Sequence, residues 1–273
     1  MVLKKTETHE VIRAKRIEIV DSKDNTKGAF FYDEEDNSTS IQLLDDEGQI
    51  RAEFALLNNN SGGITFRDNA GNPMISLLIS EDQSMINLKA GDDTVSLSIS
   101  LSDKQGGIIL SDKNQVSRGA FVLDSNQNMA LKLYDSNGEA RIETSVSGDD
   151  SPQIVVLDKK QRPRCMMSVS KTGEPTVLFA DKKTNPRLIL QLPDDGPIIS
   201  FHDKKGKIRT AWSLSEDGNP RLQHLENDVV RASFAINDEG APHLALIDSE
   251  GYIKGLFMVN EDNNGIFKCI DED

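Results

Sequence analysis

The chain has 273 residues, of which 37% are hydrophobic and 28% charged, and a formal net charge of −14. This supplies enough apolar side chains for a core and too much charge for a membrane protein, and no run approaches the 18 or so apolar residues of a membrane span. The excess of Asp and Glu repels phosphate and argues against a nucleic-acid partner.

The first residues, MVLKKTETHEVIRAKRIEIV, contain no apolar segment bounded by a cleavage site. No compartment follows from that: a cytoplasmic protein and a component of an exported or assembled particle both fit. Residues 1–16 are expected to be a lead-in strand, and residues 17–273 a single continuous domain.

From residue 17 onward, aliphatic pairs spaced by two recur in chain order. They are Ile17/Ile19 and Phe30/Tyr32, Ile41/Leu43 and Phe54/Leu56, Ile64/Phe66 and Leu77/Ile79, Ile86/Leu88 and Ile99/Leu101, Ile108/Leu110 and Phe121/Leu123. They continue as Leu131/Leu133 and Thr144/Val146, Ile154/Val156 and Met167/Val169, Val177/Phe179 and Leu190/Leu192, Ile199/Phe201 and Trp212/Leu214. The last are Leu222/His224 and Phe234/Ile236, Leu244/Leu246 and Phe257/Val259, and Phe267/Cys269. A spacing of two predicts strands with one apolar face. No segment has helical spacing over ten residues, so the chain is expected to be all-β.

An acidic residue closes the first pair of each repeat: Asp21, Asp45, Asp68, Asp112, Asp135, Asp158, Asp181, Asp203, Glu226, Asp248 and Asp271, with Ala90 in the remaining place. These anchors cover 250 residues in eleven steps, a mean period of about 22.7. The chain therefore reads as about twelve tandem two-stranded repeats. Between the strands stand Asp-x-x-Gly turns, at Asp45, Asp68, Asp135, Asp203 and Asp248, and turns ending in Gly-x-Pro, at Gly173, Gly218 and Gly240.

One such repeat cannot offset its own ordering entropy, so neighbours must stack. The expected form is an elongated β-solenoid-like stack, with the two strands of a repeat on opposite walls and the aliphatic pairs meeting inside. Twelve coils at about 4.8 Å give a rod of roughly 55 Å. The alternatives are a six-bladed propeller, with a segment such as Val11–Ala14 completing the last blade, and another antiparallel meander, including a fibre shared between chains. Wet second-face residues such as Glu18, Gln42, Lys132, Glu143 and Arg209 favour the stack. Turns suited to antiparallel hairpins favour the alternatives.

The most regular polar feature is a basic residue six or so places after the anchor: Lys27, Arg51, Arg118, Arg141, Arg164, Arg187, Arg209, Arg231 and Lys254. Stacked in register, these form an outer column suited to an anionic polymer or a partner's carboxylates. In the opposing reading each cation pairs with nearby turn acids and covers its strand with its alkyl stem.

No other constellation carries chemistry. Cys165 and Cys269 are too few for a disulfide scaffold or zinc site and read as core thiols. His9, His202, His224 and His243 include no pair at metal-ligand spacing. The clusters at Asp33–Asp36, Asp45–Glu47, Asp149/Asp150, Asp194/Asp195 and Glu261/Asp262 match no calcium loop and read as acidic turn tips. No nucleophile, base and acid assemble, and no phosphate-binding Gly loop occurs, so neither enzyme activity nor a cofactor is expected. The repeat length is shared with the short hairpin repeats of choline-binding and glucan-binding modules. Those bind ligand with Trp and Tyr, whereas this chain has one Trp and three Tyr, so no residues carry over.

The expectation is a non-catalytic structural or interaction repeat protein, a β scaffold or fibre-like component that self-associates or meets protein partners. The alternatives are a glycan- or polymer-binding surface that uses the basic column, and a propeller-type protein-docking hub.

Overall fold

A computed structural model describes residues 11, 13–91 and 94–270, so the anchor Asp271, His9 and part of the Val11–Ala14 segment lie outside the described residues. The chain divides into two units, Met1–Ser125 and Asn126–Asp273.

The first unit contains β1 (Arg16–Val20), β2 (Thr26–Asp33), β3 (Ser38–Leu44), β4 (Ile50–Leu56), β5 (Gly62–Arg67), β6 (Pro73–Ile79), β7 (Gln83–Lys89), β8 (Ser96–Ser102), β9 (Gly106–Ser111) and β10 (Ser117–Leu123). The second contains β11 (Met129–Tyr134), β12 (Ala140–Val146), β13 (Pro152–Leu157), β14 (Pro163–Val169), β15 (Pro175–Ala180), β16 (Pro186–Gln191), β17 (Ile198–His202) and β18 (Ile208–Leu214). It continues with β19 (Pro220–Glu226), β20 (Val229–Ile236), β21 (Pro242–Ile247), β22 (Ile253–Val259) and β23 (Gly265–Cys269). No helix occurs among the described residues.

Within each unit every strand pairs antiparallel with the strands before and after it in the chain, and no pairing among the described residues closes the first strand onto the last. The result is an open meander of stacked hairpins, in which each repeat touches only its neighbours, as a solenoid's repeats do. Runs of ten and thirteen strands are not four-stranded blades, so the propeller alternative does not apply.

The meander also changes where the aliphatic residues go. Because the two strands of a repeat pair edge to edge and do not face each other across a tube, both aliphatic pairs emerge on the same face of one sheet. Directly opposite one another across the first unit stand Ile17, Phe30, Ile41, Phe54, Ile64, Leu77, Ile86, Ile99, Ile108 and Phe121. In the second unit the same row runs from Leu131 through Ile154, Val177, Ile199, Trp212 and Phe234 to Phe257 and Phe267. The two-walled greasy interior expected from the sequence is therefore corrected to an open apolar face: Trp212 is 58% exposed and Phe234 56%.

The opposite face, expected to be wet, holds the most buried residues. Ala29, Ser40, Ala120, Ala130, Ser145, Ser200, Ala235 and Ala245 are each less than 9% exposed. They are small and flanked by longer side chains that reach over the sheet, as in the pairs Gln42 with Glu53 and Lys132 with Glu143. Both cysteines lie on the apolar face. Cys165 is half-buried between Val156 and Phe179, whereas Cys269 is exposed because its strand, β23, has a neighbour on one side only.

Both kinds of turn signal build the same turn. Among the described residues fifteen hairpin ends share one pattern, in which the first residue's N–H donates to the carbonyl four residues on and the fourth residue's N–H donates back to the carbonyl of the first. Asp45, Gly48 and Gln49 form it through an Asp-x-x-Gly signal; Ser170, Gly173 and Glu174 form it through Gly-x-Pro, with Pro175 opening the next strand. The fourth residue is left-handed throughout, which suits Gly48 (φ 78°) and Gly173 (φ 92°).

Candidate functional site

The column of basic residues is positioned by strand parity. Each member immediately precedes a residue of the apolar face, Arg51 before Ala52 and Arg231 before Ala232, so it points to the small-residue face.

There the basic residues from Arg51 onward are each tied to their own anchor acid, six residues earlier in most repeats, whereas Lys27 pairs with Asp46 of the next turn at 2.6 Å. Arg51 reaches Asp45 at 2.6 Å, Arg209 reaches Asp203 at 3.1 Å, Arg164 reaches Asp158 at 3.6 Å, and Arg118 and Arg187 reach Asp112 and Asp181 at 3.7 Å. Lys254 lies 3.8 Å from Asp248, Arg231 is 2.8 Å from Glu226, and Arg141 clasps Asp135. The basic heads in each unit are thus engaged within the sheet.

The anchor carboxylates divide their oxygens. In Asp45, Oδ1 accepts the backbone N–H groups of Glu47 (3.0 Å) and Gln49 (2.8 Å), leaving Oδ2 to Arg51. Asp135, Asp181, Asp203 and Asp248 accept the same pair of turn N–H groups. These bonds favour the charged form. The Asp45 carboxyl is held below its ordinary value first by the Gln49 N–H and then by Arg51, Asp203 first by the Lys205 N–H, then by the Lys207 N–H and Arg209, and Asp158 well below it by the Arg162 guanidinium.

The basic heads also reach forward into the next repeat. Arg164 Nε donates to the Ala180 carbonyl at 2.9 Å, Arg187 Nε to that of His202 at 2.9 Å, and Arg231 Nε to that of Ile247 at 3.0 Å. Arg51 and Arg141 reach the carbonyls of Asp68 and Asp158, and Lys27 that of Asp45 at 3.3 Å. Each of these arginines is a staple: its own anchor acid holds one side of the head, and the head caps a carbonyl in the following repeat, whereas both contacts of Lys27 lie in the next turn. Sequence reasoning missed these acceptors, since a backbone carbonyl carries no residue signal.

The apolar face has the reverse character. In three rows along each unit, containing Ile41, Leu43 and Thr39 on β3 and their opposites on other strands, the strand residues include no Asp, Glu, Lys or Arg. His224, opposite Thr210 and bonded to its hydroxyl at 3.2 Å, is the one histidine there. His202 and His243 lie off these rows, His202 bonded to Ser200 at 2.9 Å. On the opposite face a shallow groove of about 400 Å³ lies above Gly63, with Glu53 as its single ionisable lining residue. No group of three or more His, Cys, Asp or Glu is placed to hold a metal ion among the described residues.

No family model matches this chain, and no curated protein matches it. Among solved structures it is similar to a chain in the crystal structure of TcdB2-TccC3-Cdc42, at 10% identity and a TM-score of 0.17. The match covers 94% of this chain and 17% of that one, so the chain spans less than a fifth of that structure's length. A likeness of that size carries no argument about function.

Proposed function

We propose that this chain is a non-catalytic structural and interaction repeat protein, a β scaffold that works as part of a larger assembly. One observation carries the reading: the apolar face runs without a charge across every strand of each unit, and such a face is stable in water only when covered. Among the described residues the ion pairs are spread along the repeats, which supports a scaffold. Arg51, Arg118, Arg141, Arg164, Arg187, Arg209, Arg231 and Lys254 serve the scaffold internally by pairing with its turn acids, and Arg51, Arg141, Arg164, Arg187 and Arg231 also staple one repeat to the next. Their commitment to turn carboxylates and carbonyls disfavours an anionic polymer as their ligand.

Removal of one whole period tests the reading. Deleting residues 159–181 joins Asp158 to Lys182 and restores an Asp-Lys-Lys turn. The shortened chain is expected to keep the far-UV β spectrum and a cooperative melt; loss of the folded spectrum on removing that period overturns modular scaffolding.

A further inference from the structure

The exposed apolar face is too large for an isolated soluble surface. Strands lie about 4.8 Å apart and alternate residues about 6.7 Å, so three rows over thirteen strands make a strip of roughly 60 by 20 Å, and over ten strands roughly 50 by 20 Å. Each strip covers about 1,000 Å² or more. The largest apolar patch on a typical monomer is about 300–600 Å², whereas a standard protein–protein interface takes about 800 Å² from each partner. Either unit alone reaches the size of a stable interface.

We propose that this face packs against the same face of a second copy of this chain, sheet on sheet. The inference rests on the scaffold reading and names its partner. Three observations select a copy over another occupant. The face carries none of the chain's 45 acidic and 31 basic residues on its strand rows, so two copies meet without repulsion despite a net charge of −14 each. Its relief alternates large and small, as in Ile19, Gly28, Leu43, Ala52 and Phe66 directly opposite in turn, and Ala232, Leu246, Gly255 and Cys269 at the other end. Facing sheets interdigitate through such relief at about 10 Å separation. A partner must also repeat at the strand spacing over ten or thirteen strands, which a copy does by construction. A lipid surface fits less well, because the strands are five to eight residues long and a lipid-crossing strand needs about nine to eleven.

Trp212, the chain's one tryptophan, stands in the central row and reports on the contact directly. Light scattering is expected to give a mass of at least twice the 30.1 kDa chain, with acrylamide quenching of Trp212 weak in the assembly and strong on dilution. The double variant Phe234→Glu, Phe257→Glu is expected to fall to the single-chain mass, while Gln191→Glu, on the opposite face, keeps the parent mass. A wild-type chain that is folded, monomeric and freely quenched at every concentration overturns the proposal, as does an assembly that survives the double variant. Should the double variant fail to fold, the concentration dependence of wild-type Trp212 quenching decides alone: dependence supports the proposal and its absence overturns it. A monomer that still tolerates removal of residues 159–181 refutes this inference and leaves the scaffold reading standing.

Discussion

A single carboxylate organises several of the repeats. In those of Asp45 and Asp135, Oδ1 closes the turn and Oδ2 holds a guanidinium that also caps a carbonyl in the next repeat, so one Asp links local conformation to stacking. The arginines are not equal. Arg141 is 23% exposed and holds both Asp135 and the Asp158 carbonyl, whereas Arg118 is 41% exposed with its carboxylate at 3.7 Å. Arg141→Leu is therefore expected to lower the urea midpoint clearly more than Arg118→Leu does, as equilibrium denaturation will measure. The column was legible in the sequence because Asp and Arg recur six apart. Its carbonyl acceptors, fifteen to eighteen residues further on, were not, because only the pairing of strands selects one carbonyl among many. Thr184 offers another test at this scale. It occupies the left-handed turn position (φ 66°) that Gly48 and Gly206 fill elsewhere, and a β-branched residue is strained there. Thr184→Gly is expected to stabilise the chain by about 1 kcal/mol net of glycine's greater unfolded freedom, read from the thermal melt.

At the scale of the hairpin, the sequence announced strands and turns correctly and left their arrangement open. A spacing of two says that Ile199 and Phe201 share a face, and equally that Trp212 and Leu214 do. It does not say whether the two faces oppose each other across a tube or lie side by side. The turn chemistry held the answer: left-handed residues such as Gly173 and Gly206 close five-residue hairpin turns, which a coil of parallel strands does not need. Close strand approach favours glycine at several positions, Gly63 among them. A Cβ on Gly63 would sit 2.6 Å from the Leu77 carbonyl oxygen and 2.8 Å from Leu78 Cδ2, whereas one on Gly265 meets nothing within 4 Å. Gly63→Val is expected to destabilise by about 1–3 kcal/mol and Gly265→Val to change little, both measured by chemical denaturation.

For the molecule as a whole, the turn carboxylates set an acid limit. Asp21, Asp45, Asp68, Asp135, Asp149, Asp158, Asp181, Asp203 and Asp248 are all held below their ordinary values, chiefly by hydrogen bonds from the turns they close. Each binds its proton less readily when folded. Their stabilisation is thus complete above the unfolded carboxylate range near pH 4 and is lost as pH falls through the lower folded values. Denaturation midpoints are expected to be steady from pH 7 to 5 with respect to these groups and to fall steeply below pH 4. That the apolar face is open was the least legible feature, since residues such as Phe30 and Phe257 look like core residues in any one-dimensional reading.

Pairing only between strands adjacent in the chain has a kinetic corollary. No long loop has to close before native bonds form, so any hairpin can serve as the seed and order can spread from it in both directions. Opening runs the other way, by peeling from the ends. Amide exchange across the thirteen-strand unit should therefore trace a gradient, fastest at β23 and slowest near β16 to β18, in place of a single global rate.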